Sequence, residues 1–302
     1  KITKNLLLNS KKTKFRITKI PILESFNYSS AVNRYLKKRK FKIVGLVPTM
    51  GSLHKGHIKL IEKSSTFCDE TIVSIFVNPT QFNNKKDLIN YPQSNKKDID
   101  TVKKINPNAI IYKPEVSDLY RLPARAETFD LDGIDRIIEG KFRKGHFQGV
   151  ATVVKRLFEK FSPNYAFFGE KDYQQIIVVK KLIKKYNLKV KIKSILTVRE
   201  DSGLAISSRN ILLNNENRHE AKIIYESLCE VKKMIKIYNF NEIKGFVSKI
   251  FLGNENFNLE YFCITENNSL KEVESFNPSV KLRAFICARV QGIRLIDNIA
   301  LN

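Results

Sequence analysis

The 302-residue chain has little of what metal centres, disulfides and membrane anchors are made from. Its four cysteines, Cys68, Cys229, Cys263 and Cys287, lie far apart and never form a CxxC pair. A disulfide framework is therefore not expected, and the remaining reading is reduced core thiols in a reducing, cytoplasmic compartment. No apolar run approaches the roughly 20 residues that cross a bilayer, so no membrane association is expected. Acidic residues are scarce, 30 against 54 basic, which leaves a formal charge of +24. Such a balance fits a nucleic acid, an acidic small substrate, or a codon bias toward Lys, Asn and Ile. The lysines are spread along the chain and form no basic block interleaved with aromatics, so no nucleic-acid partner is expected. Internal repeats and low-complexity linkers are also missing. Histidine is as rare as cysteine, yet two of the four, His54 and His57, stand three apart across Gly56 in "VGLVPTMGSLHKGHIKLIEK" at 44–63.

What is present has a clear rhythm. Apolar strands are expected at 41–47, 71–77, 109–112, 165–169 and 188–196. Amphipathic helices are expected between them: one after His57 with Ile58, Ile61, Phe67 and Cys68 on one face, then 96–105, 149–161 and 172–186. Continuous apolar strands alternating with helices predict an α/β domain with a parallel sheet covered on both faces. After about residue 198 the order changes to two helices, 215–237 and 240–252, and then three strands, 259–265, 281–290 and 293–299. That pattern predicts a smaller α+β unit. The expected division is a basic leader at 1–19, poorly ordered or processed, a first domain at 20–197 and a second at 198–302.

The opening stretch has a physical reading of its own. A strand that ends in "PTMGS" and turns into a helix puts backbone N–H groups and a positive helix end at the carboxyl edge of a parallel sheet. Open α/β sheets bind ligands at that edge. Gly51 allows the tight turn, and Gly56 lets a ligand approach the backbone. His54 and His57 fall on one face and could donate to phosphate oxygens that gain charge as an anhydride bond breaks. A capped helix with incidental histidines and a zinc pair are the alternatives, but two histidines without a nearby Cys or acid make a poor zinc site. Three further turns have the same character: "SIFVNPTQF" (74–82) with Asn78 and Gln81, "FFGEKDYQQ" (167–175) with Lys171 and Gln175, and "VREDSGLAISSRN" (198–210), where Ser207, Ser208 and Arg209 form a phosphate-holding set. Each has a plainer reading as turn chemistry, a solvated lysine or a helix cap.

These blocks, with "YP" at 91–92, Asp98 and "GKFRKGHFQGVATVV" (140–154), occur in an order and spacing that resemble the pantothenate synthetase (pantoate–β-alanine ligase) family, within the HxGH nucleotidyltransferase group. The resemblance runs from about residue 20 to the closing "GIRLIDNIAL". It implies a Rossmann-like domain, a homodimer, and a ligation in which ATP activates pantoate as an adenylate that β-alanine then attacks. It also implies an ATP site made of Met50, Gly51, Ser52, Leu53, His54, Lys55, Gly56 and His57, of Gly169, Glu170, Lys171 and Asp172, and of Val198, Ile206, Ser207, Ser208 and Arg209. His57, His54 and Lys171 take the catalytic roles. Gln81 and Gln175 hold pantoate, Asn78 and Tyr91 shape the pantoate and β-alanine end, and Asp98 partners Mg²⁺. Ile206 and Thr80 depart from the family's usual residues, and Thr80 is expected to alter the pantoate end. His146 is expected to support the site structurally. Two other classes remain open: a relative that transfers a nucleotidyl group to another acceptor, and a basic nucleic-acid-binding module.

Overall fold

Nearly every residue of β2, Val44–Thr49, and of β3, Glu70–Ile75, is buried, as inner strands of a parallel sheet require. The structure is a computed structural model that describes residues 25–39 and 42–302; the expected leader at 1–19 lies outside them. Six parallel strands run in the order β1–β4–β3–β2–β5–β6, with β1 at Ser25–Phe26, β4 at Ile110–Tyr112, β5 at Tyr165–Gly169 and β6 at Lys191–Ile195. The chain builds outward from β2 through β3 to β4, then crosses back to place β5 on the other side of β2. The point of reversal therefore lies between the carboxyl ends of β2 and β5, at Thr49 and Gly169, where a ligand crevice opens in such sheets.

Helices cover both faces. Val150, Val154, Leu157 and Phe158 of His146–Phe161 pack on one side with Leu46, Ile72 and Ile110. Leu60 and Ile61 of Lys55–Phe67, with Val102 of Asn95–Ile105, pack on the other against Val47, Val73 and Phe167. The face of Lys55–Phe67 differs from the expected one: Leu60, Ile61 and Ser64 are buried, while Phe67 lies 40 % exposed, edge-on to Tyr165. The expected helix at 215–237 is two, Asn215–Glu220 and Ile223–Met234. The helix Ser29–Arg39 had no expectation, because only Ser29 and Val32 are buried in a lysine-rich segment.

The second unit is an antiparallel sheet, β7 (Phe257–Glu266), β8 (Leu282–Val290) and β9 (Ile293–Ala300). Ile224, Leu228 and Val231 of Ile223–Met234 pack on it, as do Ile243 and Val247 of Phe240–Leu252. The two units share an apolar cluster in which Phe147, Tyr173 and Ile177 meet Leu270 and Phe285. Beside it Arg294 reaches across to Glu139, with Nη1 and Nη2 at 2.7 and 2.6 Å from the two carboxylate oxygens. Among the described residues no helix is long and apolar enough to cross a membrane.

Candidate active site

At the end of β2 the Thr49 hydroxyl donates to the Ser74 carbonyl at 2.8 Å. The chain then reverses through left-handed backbone at Gly51 (φ +82°) and Ser52 (φ +50°). Asp98 holds this turn from the neighbouring helix. Its carboxylate accepts from Ser52 N at 2.8 Å, Leu53 N at 2.7 Å and the Ser94 hydroxyl at 3.1 Å. Asp98, expected to partner a metal, is placed by this geometry in the support of the turn. Asp98 is 1 % exposed and lies outside the cavity lining. Turning it toward an ion would strand two backbone donors, at about 1–3 kcal/mol each.

His54 and His57 cap the helix Lys55–Phe67 with their rings. His54 Nδ1 accepts from Gly56 N at 3.1 Å, and His57 Nδ1 accepts from His54 N at 3.4 Å. A neutral imidazole that accepts through Nδ1 carries its proton on Nε2, so each ring keeps one donor free of the backbone. The rings lie 4.0 Å apart between centroids, and both line one cavity. Burial, with Lys171 adding repulsion, lowers His54 to about 4; burial, then the His54 charge and Lys171, holds His57 well below the ordinary range. The pair is thus a set of neutral N–H donors at physiological pH.

Gln81 reaches the same cavity from the turn after β3, and its position is tightly fixed. Its amide donates to Met50 Sδ at 2.9 Å and accepts from Asn78 Nδ2 at 3.0 Å. Asn78 is 1 % exposed and fully committed: Nδ2 also donates to Gly149 O at 3.1 Å, and Oδ1 accepts from Tyr120 OH at 2.6 Å and Thr80 Oγ1 at 3.0 Å. Asn78 therefore acts on the pocket through Gln81. Thr80, expected to alter the pantoate end, does not line the cavity and joins this network instead. His146 fixes the turn from below. Arg143 Nη1, which can only donate, lies 3.1 Å from His146 Nε2, so Nδ1–H donates to the Gln81 carbonyl at 2.8 Å.

Burial, reinforced by Arg143, lowers His146 to about 3. The unfolded chain binds a proton there near pH 6.5 and the folded chain does not, so this contribution to stability is present above pH 6.5 and is lost as pH falls toward 3. The protein is expected to be roughly 1.4 kcal/mol less stable at pH 5.5 than at neutral pH from His146 alone. Urea unfolding of His146→Gln should lack that share of the acid dependence. An unchanged slope in the variant would show that His146 does not carry it.

The turn after β5 supplies Gly169, Lys171 and Asp172 to the cavity, and Gln175 follows on the helix Tyr173–Lys185. The Lys171 ammonium is mostly buried, 3.5 Å from Asp172 Oδ1. Gln174, the neighbour of Gln175, points elsewhere: its amide holds Ile134 O, Ile137 O and Glu139 N. The second unit closes the far side with Val198, Ile206, Ser207, Ser208 and Arg209. Ser208 donates to Ser52 O at 3.2 Å, and Arg209 Nη2 lies 3.0 Å from both oxygens of Asp87. Tyr91 stands beneath Arg209, 5.7 Å from its guanidinium, and burial pushes its phenol up.

The cavity has a volume of about 210 Å³. It brings together Met50, His54, Gly56, His57, Asn78, Gln81, Tyr91, Gly169, Lys171, Asp172, Gln175, Val198, Ile206, Ser207, Ser208 and Arg209. Gly51, Ser52, Leu53, Lys55 and Glu170 lie outside its lining. Arg143 was missed by the sequence reading: it lines the cavity, and burial lowers its pKa. In sequence it stands in the basic run "KFRKGH", which reads as surface.

Residues 22–300 match the family model described as Pantoate-beta-alanine ligase. Pantothenate synthetase from Flavobacterium psychrophilum is 45 % identical over 279 residues, which cover 92 % of this chain and 99 % of the relative. The crystal structure of pantothenate synthetase from Thermus thermophilus is similar with a TM-score of 0.85 and 31 % identity, covering 92 % of this chain and 99 % of that one. That of pantoate-beta-alanine ligase from Francisella tularensis, complexed with beta-gamma ATP and beta-alanine, is similar with a TM-score of 0.74 and 33 % identity, covering 92 % and 98 %.

Proposed function

This chain belongs to the pantoate–β-alanine ligase family, and from that premise we propose how its residues divide the reaction. The enzyme condenses pantoate with β-alanine at the expense of ATP. A pantoate carboxylate oxygen bonds to the α-phosphorus, the anhydride bond to the β-phosphate breaks, and pyrophosphate leaves. The β-alanine nitrogen then attacks the acyl carbon of the pantoyl adenylate, giving pantothenate and AMP. The substrate carboxylate is the nucleophile, so the protein's task is to position reactants and to stabilise charge.

The observation that carries the assignment is the convergence of His54, His57, Lys171, Gln81 and Gln175 on one cavity at the β2–β5 switch point. The two Nε2–H groups and the Lys171 ammonium meet the phosphate oxygens that gain negative charge. Well-aimed donors of this kind contribute about 3–4 kcal/mol each in comparable sites. Gln81, already oriented by Asn78, and Gln175 hold pantoate, with Tyr91 at that end. Met50, Gly56, Gly169, Asp172 and Val198 surround the nucleotide, which sits between a first domain at 20–197 and a second at 198–302, while Gly51, Ser52, Leu53, Lys55 and Glu170 stand behind this wall and shape the turns that carry it. Ile206, Ser207, Ser208 and Arg209 close over it, Arg209 exchanging Asp87 for phosphate.

Magnesium belongs to this reading as the companion of the polyphosphate. Among the described residues no three His, Cys, Asp or Glu side chains cluster as a cage. Mg²⁺ keeps several waters and is carried by substrate phosphates plus one or two carboxylates, and Asp172, a half-exposed carboxylate on the cavity wall, is the residue that would meet it there. The homodimer and the cytoplasmic location belong to the same reading and rest on the family resemblance. The test is pantoate-dependent exchange of labelled pyrophosphate into ATP without β-alanine. Exchange is expected; its absence in a folded sample would remove the adenylate mechanism.

A further inference from the structure

Lys171 sits on the single 3-10 turn Glu170–Asp172, and neither Gly169 nor Asp172 gives this turn or the following helix a side-chain cap. What holds the turn comes from the other unit. Asn298, on β9 and 4 % exposed, donates from Nδ2 to Glu170 O at 2.9 Å and to Lys171 O at 2.8 Å. The orientation of this amide is not open to reversal. Arg283 Nη1 donates to Asn298 Oδ1, and a guanidinium can only donate, so the NH₂ must face the two carbonyls.

Arg283 is itself fixed. Its guanidinium stacks on the Tyr173 ring at 3.6 Å, Nε donates to Asn267 Oδ1 at 2.9 Å, and Nη2 lies 3.5 Å from Glu170 Oε2. The Asn298 backbone is tied as well, its N–H donating to Asp297 Oδ1 at 2.8 Å, and Asp297 is gripped by both terminal nitrogens of Arg199. A rigid polar scaffold of the C-terminal sheet thus ends in two hydrogen bonds on the backbone that carries Lys171.

We propose that Asn298 is a positioning residue for Lys171, aiming the ammonium at the reacting phosphate from the opposite domain. It touches no substrate. It works by denying the 170–172 turn the freedom that its uncapped ends would otherwise allow. Misplacing a catalytic group by about 1 Å can cost about 100-fold in rate. The inference rests on the role given to Lys171 above, and its test is built to fail separately from that role.

Asn298→Asp keeps a partner for Arg283 but removes both donors to the turn. Exchange of pyrophosphate into ATP should fall about 10- to 100-fold, mainly in kcat, with pantoate KM nearly unchanged. The same substitution in a Lys171→Met background should cost little, because the group being aimed is gone. An equal loss in both backgrounds, or a wild-type rate in Asn298→Asp, would overturn the proposal. If Asn298→Asp does not fold, Asn298→Ser, which retains one donor, carries the same two-background comparison. Lack of exchange in the wild-type enzyme would count against the adenylate reading instead.

Discussion

Replacing His57 by alanine is expected to lower pantoate-dependent pyrophosphate exchange by about 10²- to 10³-fold, the loss that follows removal of one well-aimed donor to a developing oxyanion. The protein should remain folded. The His57 ring accepts only the His54 N–H at 3.4 Å, a helix-end donor whose loss costs about 1 kcal/mol. The core residues of the helix, Leu60 and Ile61, are untouched. The effect should fall on kcat more than on the KM for ATP, because the donor matters most when charge grows on the phosphate. His57→Gln, which returns an amide donor of similar reach, should recover part of the rate. A folded His57→Ala protein with near-wild-type exchange would remove His57 from its role. The imidazole is held neutral by burial, so its part is that of a fixed N–H dipole and not of an imidazolium.

How much of this site could be read in the sequence depended on where the determinant lay. The His54–His57 turn was legible because its geometry is local: strand, left-handed turn and helix start follow within a few residues. Gln81, Lys171 and Gln175 were legible by the same logic at the ends of two other strands. The part Asp98 plays in the turn is not legible in sequence, because the Ser52 and Leu53 N–H groups that its oxygens accept lie 46 and 45 residues away. Arg143 was missed because what buries it is remote: Glu139 at its side is gripped by Arg294, 155 residues further along the chain. Asn298 gives only a weak signal, one of two adjacent polar residues in the strand end "IDNIA". The α/β rhythm was legible because buried parallel strands are continuously apolar, whereas Ser29–Arg39 buries too little to show a period.

A large structural effect at the pantoate end is expected from one added carbon at Gly149. A Cβ there would stand 2.2 Å from Thr80 O and 2.6 Å from Gln81 N, and both are backbone atoms that cannot swing aside. Either the helix His146–Phe161 must retreat from the sheet or the 78–82 turn must move. The helix is locked by Val150, Val154, Leu157 and Phe158 in the core, so the turn is the part that yields. That turn is bound to the helix by Asn78 Nδ2 on Gly149 O and by His146 on Gln81 O, and both bonds must break or stretch together. Gly149→Ala is therefore expected to cost about 1–3 kcal/mol of stability and to raise the pantoate KM sharply, because Gln81 is carried away with the turn. The ATP KM should change far less, since His54, His57 and Lys171 stand on other elements. Gly245→Ala, on the helix Phe240–Leu252, is the control: an added Cβ there meets nothing within 4 Å and the backbone is not left-handed. Thermal unfolding and separate KM values for ATP and pantoate measure both variants. A Gly149→Ala enzyme with an unchanged pantoate KM would show that Gln81 does not take its position from this contact.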